Sequence, residues 1–240
     1  MNPTSLAPLR SSFAALRAKG LRARDAARQL ALSEGAMMAA HAVSQMSPQE
    51  ASDSLLATVP LDGDWVRILQ GLEGVGPVMA LTRNEHVVHE KIGVYRNVSA
   101  QGMVGLAIGP EIDLRLFLMH WHAGFHVVER TANGEQHSLQ FFDRQGDAVH
   151  KVYLDNEQHV AQFDRLVADF RLPAQHAALN IEQSPVTATT QQTTPPSAEA
   201  IRELRQSWHE LTDVHQFPRL LRELKLTREQ ALQLIGPESA

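Results

Sequence analysis

Four groups of side chains in this 240-residue sequence have types and spacings that could do chemistry. His215, in DVHQF, belongs to a stretch with helical spacing, residues 207–224, whose apolar face is made by Trp208, Leu211, Val214, Leu220, Leu221 and Leu224. Asp213 is placed to cap a helix there, and Pro218 limits how far upstream a continuous helix runs. A neutral imidazole at the edge of such a face can ligate iron, although an ordinary surface histidine has the same spacing. Arg115 lies in PEIDLRLFLMHW, residues 110–121, where strand alternation sends Ile112, Leu114, Leu116 and Leu118 to one face and Asp113, Arg115, Phe117 and Met119 to the other. The second face can hold a flat apolar ligand and present a charged donor; the plain alternative pairs Arg115 with Asp113 or a cross-strand acid under a covering helix. His120 and His122, at i and i+2 of a strand, would face one side and supply two metal ligands with no third evident. His86 and His89, at i and i+3, would point to opposite faces.

Other chemistries lack support. The glycines of GLEGVGP, residues 71–77, do not have the dinucleotide-binding spacing, and a β-rich segment follows them, which argues against a phosphate cradle. No nucleophile elbow or Ser-His-Asp arrangement stands out.

The elements that must position these residues divide the chain. Residues 5–46 have the spacing of two or three short helices broken at Gly20. From residue 65 to 154 come short β-rich runs, WVRIL, PVMALT, VVHEKIGVY, MVGLAI, IDLRLFLM, FHVVER, HSLQFFD and AVHKVYL, split by EGVGP, GPE, ANGE and RQGD. That spacing predicts a meandering antiparallel sheet. Residues 156–170 return to helical spacing and are expected to cover one sheet face. The Thr/Pro/Gln-rich stretch 184–200 has too little apolar surface to order itself and is expected as a flexible linker. The sequence therefore predicts an α+β fold: N-terminal helices, a curved antiparallel β-sheet with a covering helix, then a tethered C-terminal helical segment.

Beyond the linker the N-terminal pattern returns. Leu9-Arg10, Ser12 and Leu16 match Leu204-Arg205, Ser207 and Leu211 at an offset of 204 − 9 = 195, whereas Arg24, Ala27 and Gln29-Leu30 match Arg228, Ala231 and Gln233-Leu234 at 228 − 24 = 204. The second copy thus carries 204 − 195 = 9 extra residues around TDVHQFPRL, the segment that holds His215. Repetition at so long a period implies a duplicated domain. The expected units are 1–183, 184–200 and 201–240, the last being the start of a second, truncated repeat.

Composition narrows the partners. Net charge is −5, and no basic block carries interleaved aromatics, so a nucleic-acid or anionic-membrane surface is not expected. The absence of cysteine removes disulfides and thiolate metal sites and suits a reducing cytosol. No apolar run approaches the roughly 20 residues of a membrane helix. Residues 1–24 are Arg-rich and free of acids, like a transit peptide, yet Leu9, Phe13, Leu16 and Leu30 fit an ordinary amphipathic helix equally well.

Taken together, RNEHVVHEKIGVY, GPEIDLRLFLMHWHAGF, SLQFFDRQGDAVHKVYL and WHELTDVHQFPRLL resemble the bacterial hemin-degrading factor family, the HemS/ChuS/PhuS/HmuS group, in the right order over essentially the whole chain. The resemblance implies two tandem repeats, each of helices and a curved sheet, that hold heme in the cleft between them. It implies that His215 is the proximal iron ligand, that Arg115 reaches the distal face as the catalytic residue, that Phe117 lies on the heme-binding face, and that Arg228 sits near a propionate. It further implies a cytoplasmic role in heme and iron uptake, degrading heme in the manner of a heme oxygenase or carrying it from a heme-uptake transporter to a separate oxygenase. Family members continue with a second full sheet, so a chain ending at Ala240 is expected to be a truncated or shortened relative. The alternative outside this family is a non-heme protein-interaction module that uses the sheet face and the C-terminal tail.

Overall fold

The computed structural model describes residues 6–84, 87–173, 196–212 and 216–235. The chain forms two compact units, Met1–Pro185 and Val186–Ala240. In the first, helices α1 (Leu6–Ala18), α2 (Ala23–Gln29), α3 (Glu34–Ala40) and α4 (Pro48–Asp53) precede strand β1 (Leu56–Leu61). Helix α5 (Trp65–Val75) follows, then β2 (Val78–Arg83), β3 (Val88–Gly93), β4 (Ser99–Gln101), β5 (Val104–Ile108), β6 (Asp113–Phe117), β7 (Ala123–Thr131), β8 (Gly134–Phe142), β9 (Ala148–Leu154) and α6 (Val160–Phe170).

Helix starts are fixed by short polar side chains. Ser33 accepts from the Ala36 amide ahead of α3, and Ser47 with Glu50 forms a reciprocal capping box ahead of α4, where Pro48 takes a position whose amide has no helical partner. The strands form a six-stranded antiparallel sheet in the order β1-β7-β8-β9-β2-β3 and a separate three-stranded sheet, β4-β5-β6. Helices α1 to α3 bury Phe13, Ala26, Ala27, Met37 and Met38 against Phe125, Val127 and Phe142 on one side of the large sheet. A second core joins Leu139, Phe141 and Val152 of the large sheet to α5, α6 and the inner residues Ala107 and Leu116 of the small sheet. Gly71 lets α5 and α6 approach closely, since a Cβ there would sit 2.3 Å from Leu166 Cδ1.

The α+β class matches expectation, with these differences. WVRIL was expected to be a strand but opens α5: Trp65, Ile68, Leu69, Leu72 and Val75 are buried at helical spacing, and Asp64 accepts from the Arg67 amide to start the helix. Strand β1 was not expected; it contains Pro60, tolerated because β1 is an edge strand. The expected single meander is two sheets, because β9 pairs with β2 and β1 with β7 across long stretches of chain. Residues 118–120 form a 3₁₀ turn, so His120 and His122 do not share the side of a strand. The covering helix expected within 156–170 is α6, with Phe163, Leu166, Val167 and Phe170 buried.

In the second unit, α7 (Ala198–Glu210) begins inside the stretch expected as linker, where Ser197 caps it by accepting from the Ala200 amide. With α8 (Phe217–Leu224) and α9 (Arg228–Ile235) it encloses a small core of Leu204, Leu220, Leu226, Ala231 and Ile235. Apart from Leu30 and Leu211, which cap α2 and α7, the repeated residues fall on corresponding helices, α1 with α7 and α2 with α9, and the aligned Ala27 and Ala231 are both fully buried.

Buried histidines tie this fold to pH. His150 faces the Tyr95 hydroxyl at 2.6 Å through Nε2 and Thr82 Oγ1 at 3.0 Å through Nδ1, and burial lowers its pKa to about 4. His41, with Nδ1 2.8 Å from the Met37 carbonyl, is lowered to about 4 by burial, assisted by the charge of Arg10. Both are neutral when folded and take up protons near pH 6.5 when unfolded. Their contribution is complete above pH 6.5 and drains away as the pH falls toward 4, on the order of 3 kcal/mol for each. Denaturant midpoints measured from pH 7.5 to 4.5 are expected to fall, with a shallower slope in His150→Gln.

Candidate ligand-binding face

The small sheet turns one face to the core and the other outward. Gly105, Ala107, Leu114 and Leu116 point in; the register pairs Val104 with Phe117, Leu106 with Arg115 and Ile108 with Asp113 on the outer side. Ile108 and Phe117 are each 50% exposed, and Met103 and Met119 at the strand ends are similarly open. Alternate positions along β5 span about 13 Å. The outcome is an apolar surface with the Arg115 guanidinium and the Asp113 carboxylate at its β6 side.

Several ties hold that surface to the rest of the unit. Gln70 of α5 donates to the Val98 carbonyl at 3.0 Å, Asn97 donates to the Ile108 carbonyl at 2.9 Å, and the Leu118 amide donates to the Met103 carbonyl at 2.9 Å. Gly93, at the end of β3, leaves room for Glu111 in the turn before β6, where a Cβ would sit 2.6 Å from Glu111 Cβ.

A larger cleft of about 790 Å³ lies elsewhere, against α1 and the edge of β1. Its cations are already engaged: Arg10 with Glu50 at 3.3 Å, Arg17 with Glu129, and Arg130 with Glu135 at 3.2 Å. The outer face of β5 and β6 instead carries Val104, Leu106, Ile108 and Phe117 side by side on one side of the sheet.

Of the residues singled out in the sequence, Arg115 and Phe117 are brought together, two apart on the same face of β6. Arg228 is the first residue of α9, exposed, in the second unit. His215 lies outside the described residues, as does His86. His89 is on the exposed strand β3. What the sequence did not bring out is a cluster of His126 on β7, His137 on β8 and Asp164 on α6. Burial, with the charge of His137 adding, lowers the pKa of His126 to about 4.

Fold and face together define an α+β protein built to present a flat apolar surface beside a guanidinium. Residues 33–170, more than half of the chain, match the family model described as Haemin-degrading HemS.ChuX domain. The hemin transport protein HmuS of Yersinia pestis is 40% identical over 181 residues, 75% of this chain and 51% of that protein. Among solved structures, holo-PhuS, a heme-binding protein from Pseudomonas aeruginosa, has a TM-score of 0.78 at 39% identity, covering 99% of this chain and 65% of that one. The heme degrading enzyme ChuS of Escherichia coli O157:H7 has a TM-score of 0.71 at 34% identity, covering 95% of this chain and 62% of that one. The chain belongs to the HemS/ChuX family. It spans about half the length of the curated relatives it matches.

Because the outer face is exposed, its residues can be changed without disturbing the core. Arg115→Ala and Phe117→Ala are expected to alter unfolding free energy by less than about 0.5 kcal/mol, measured by denaturant titration. A much larger loss would mark these side chains as structural.

Proposed function

We propose that this chain is a cytoplasmic heme-binding protein of bacterial heme and iron utilisation, which degrades heme or carries it to a heme oxygenase. The observation that supports this most is the outer face of β5 and β6, where Val104, Leu106, Ile108 and Phe117 offer apolar surface of porphyrin scale around Arg115. The heme-binding and heme-degrading relatives supply the ligand class. Phe117 and the aliphatic residues take the ring by burial of apolar area. Arg115 presents guanidinium donors to charge that develops above the ring. His215 is assigned as the iron ligand, and Arg228 as the fork for a propionate carboxylate. Heme itself supplies the iron and the conjugated ring on which any redox chemistry runs.

Heme titration of the full chain tests the reading. Wild type is expected to saturate with a shifted Soret band, His215→Ala to bind at least roughly tenfold more weakly, and Arg115→Ala to keep binding while losing turnover. An unchanged Soret shift in His215→Ala removes that residue from the account. With reductant and oxygen, loss of the band with iron release identifies degradation, and a persistent band that moves to an added acceptor identifies carriage. Absence of any shift in wild type overturns the heme reading and favours the protein-interaction module.

A further inference from the structure

Two histidines on neighbouring strands meet beneath α6. Val128 is the cross-strand partner of His137 and stands two residues from His126, so both imidazoles lie on the side of the sheet that α6 covers. Both residues are buried, at 6% and 8% exposure. Their ring centroids are 5.4 Å apart with planes at 22°, and His126 Nε2 is 3.2 Å from His137 Nδ1. Phe163 of α6 packs against both rings at a steep angle, and the next residue, Asp164, brings Oδ1 to 4.0 Å from His137 Nδ1. One ligand atom from each of His126, His137 and Asp164 falls within 4.8 Å of the other two. On its far side His137 Nε2 is 4.0 Å from Glu135 Oε2, beyond hydrogen-bond distance.

We propose that His126, His137 and Asp164 form a binding site for a divalent first-row transition metal of the zinc type, separate from the face assigned to heme. Two imidazole nitrogens and one carboxylate oxygen are a donor set such ions accept. Bonds of about 2.0–2.1 Å at tetrahedral angles place ligand atoms roughly 3.3 Å apart. The nitrogens already stand at 3.2 Å, and the carboxylate has to close by roughly 0.7 Å on His137 and by up to about 1.5 Å on His126, from which it lies within 4.8 Å. Asp164 can make that movement because its side chain is 55% exposed, which also opens the site to solvent. A neutral imidazole carries one proton on its two nitrogens, so the ring that donates across the 3.2 Å contact has to carry its proton on the other nitrogen when the metal binds; both rings then tilt toward Asp164 to bring their lone pairs onto the ion. Three protein ligands leave a fourth position for water.

Cobalt(II), followed by visible absorption on the tag-free, heme-free chain, tests the site, with zinc as competitor. Wild type is expected to give the intense bands of a tetrahedral ion, saturating at one equivalent and bleached by zinc. Asp164→Asn is expected to weaken cobalt binding at least roughly tenfold while keeping the fold, since Asp164 is exposed, and His137→Gln to abolish the bands. Zinc is expected to raise the melting temperature of wild type and not of Asp164→Asn. Weak six-coordinate bands in wild type, or tetrahedral bands that survive Asp164→Asn, overturn the proposal and assign the metal to other histidines. Heme titration of Asp164→Asn separates the two sites: it is expected to match wild type whether or not heme binds.

Discussion

The constraint on which the first unit depends is that its central hairpin, β7 with β8, must fill two cores at once. Neighbouring residues on β8 go to opposite sides: Phe141 meets Trp65 and Trp121, and Phe142 meets Phe125 under the N-terminal helices. Ordinary strand alternation does this, and the register with β9 shifts between Phe141 and Phe142, where Val149 of β9 is skipped. A sheet buried on both sides leaves few places for polar groups, and two of those present are partnered by α3: Lys151 with Glu34 at 2.6 Å, and Thr58 with the Met38 carbonyl at 2.8 Å. The large sheet is covered on both sides through β7 and β8, whereas the small sheet keeps its outer face exposed.

The small sheet packs on the core through its inner face and is tied further by the Gln70 bond to the Val98 carbonyl. Ala107, Leu116 and the flanking Ile112 and Leu118 are buried in the core shared with α5, with Leu114 packed against it, while Ile108, Asp113, Arg115 and Phe117 alternate onto the exposed side. This division explains how Arg115 and Phe117 come to lie together on the exposed side. It also separates two kinds of chemistry within the unit. The exposed face offers area and a cation to a large flat ligand. The clustered histidines beneath α6 set two imidazoles in hydrogen-bond contact in a confined space.

Legibility in the sequence followed the range of the interactions involved. Alternation in IDLRLF placed Arg115 and Phe117 correctly because the pattern is local and one face is plainly apolar. WVRIL misled because a five-residue apolar run fits either period, and only Leu72 and Val75 further on resolve it as a helix. LATVPL was hidden by Pro60, which argues against a central strand and is harmless at an edge. HWH failed for a third reason: the chain turns at 118–120 to pass from the small sheet into β7, and nothing local announces that turn. The pair His126 and His137 could have been found by folding the hairpin about the turn at 132–133, which fixes the register; Asp164 could not, because its approach depends on how α6 lies over the sheet.

The outermost strand of the large sheet, β3, is open to water along nearly its whole length and reads VHEKIG. Antiparallel docking of two copies through this edge, with each side chain kept on its own side, has two central alignments. One sets Glu90 against Glu90 and His89 against Lys91; the other sets Lys91 against Lys91. Each opposes like charges at its centre, so the strand guards itself against unwanted polymerisation by electrostatic mismatch.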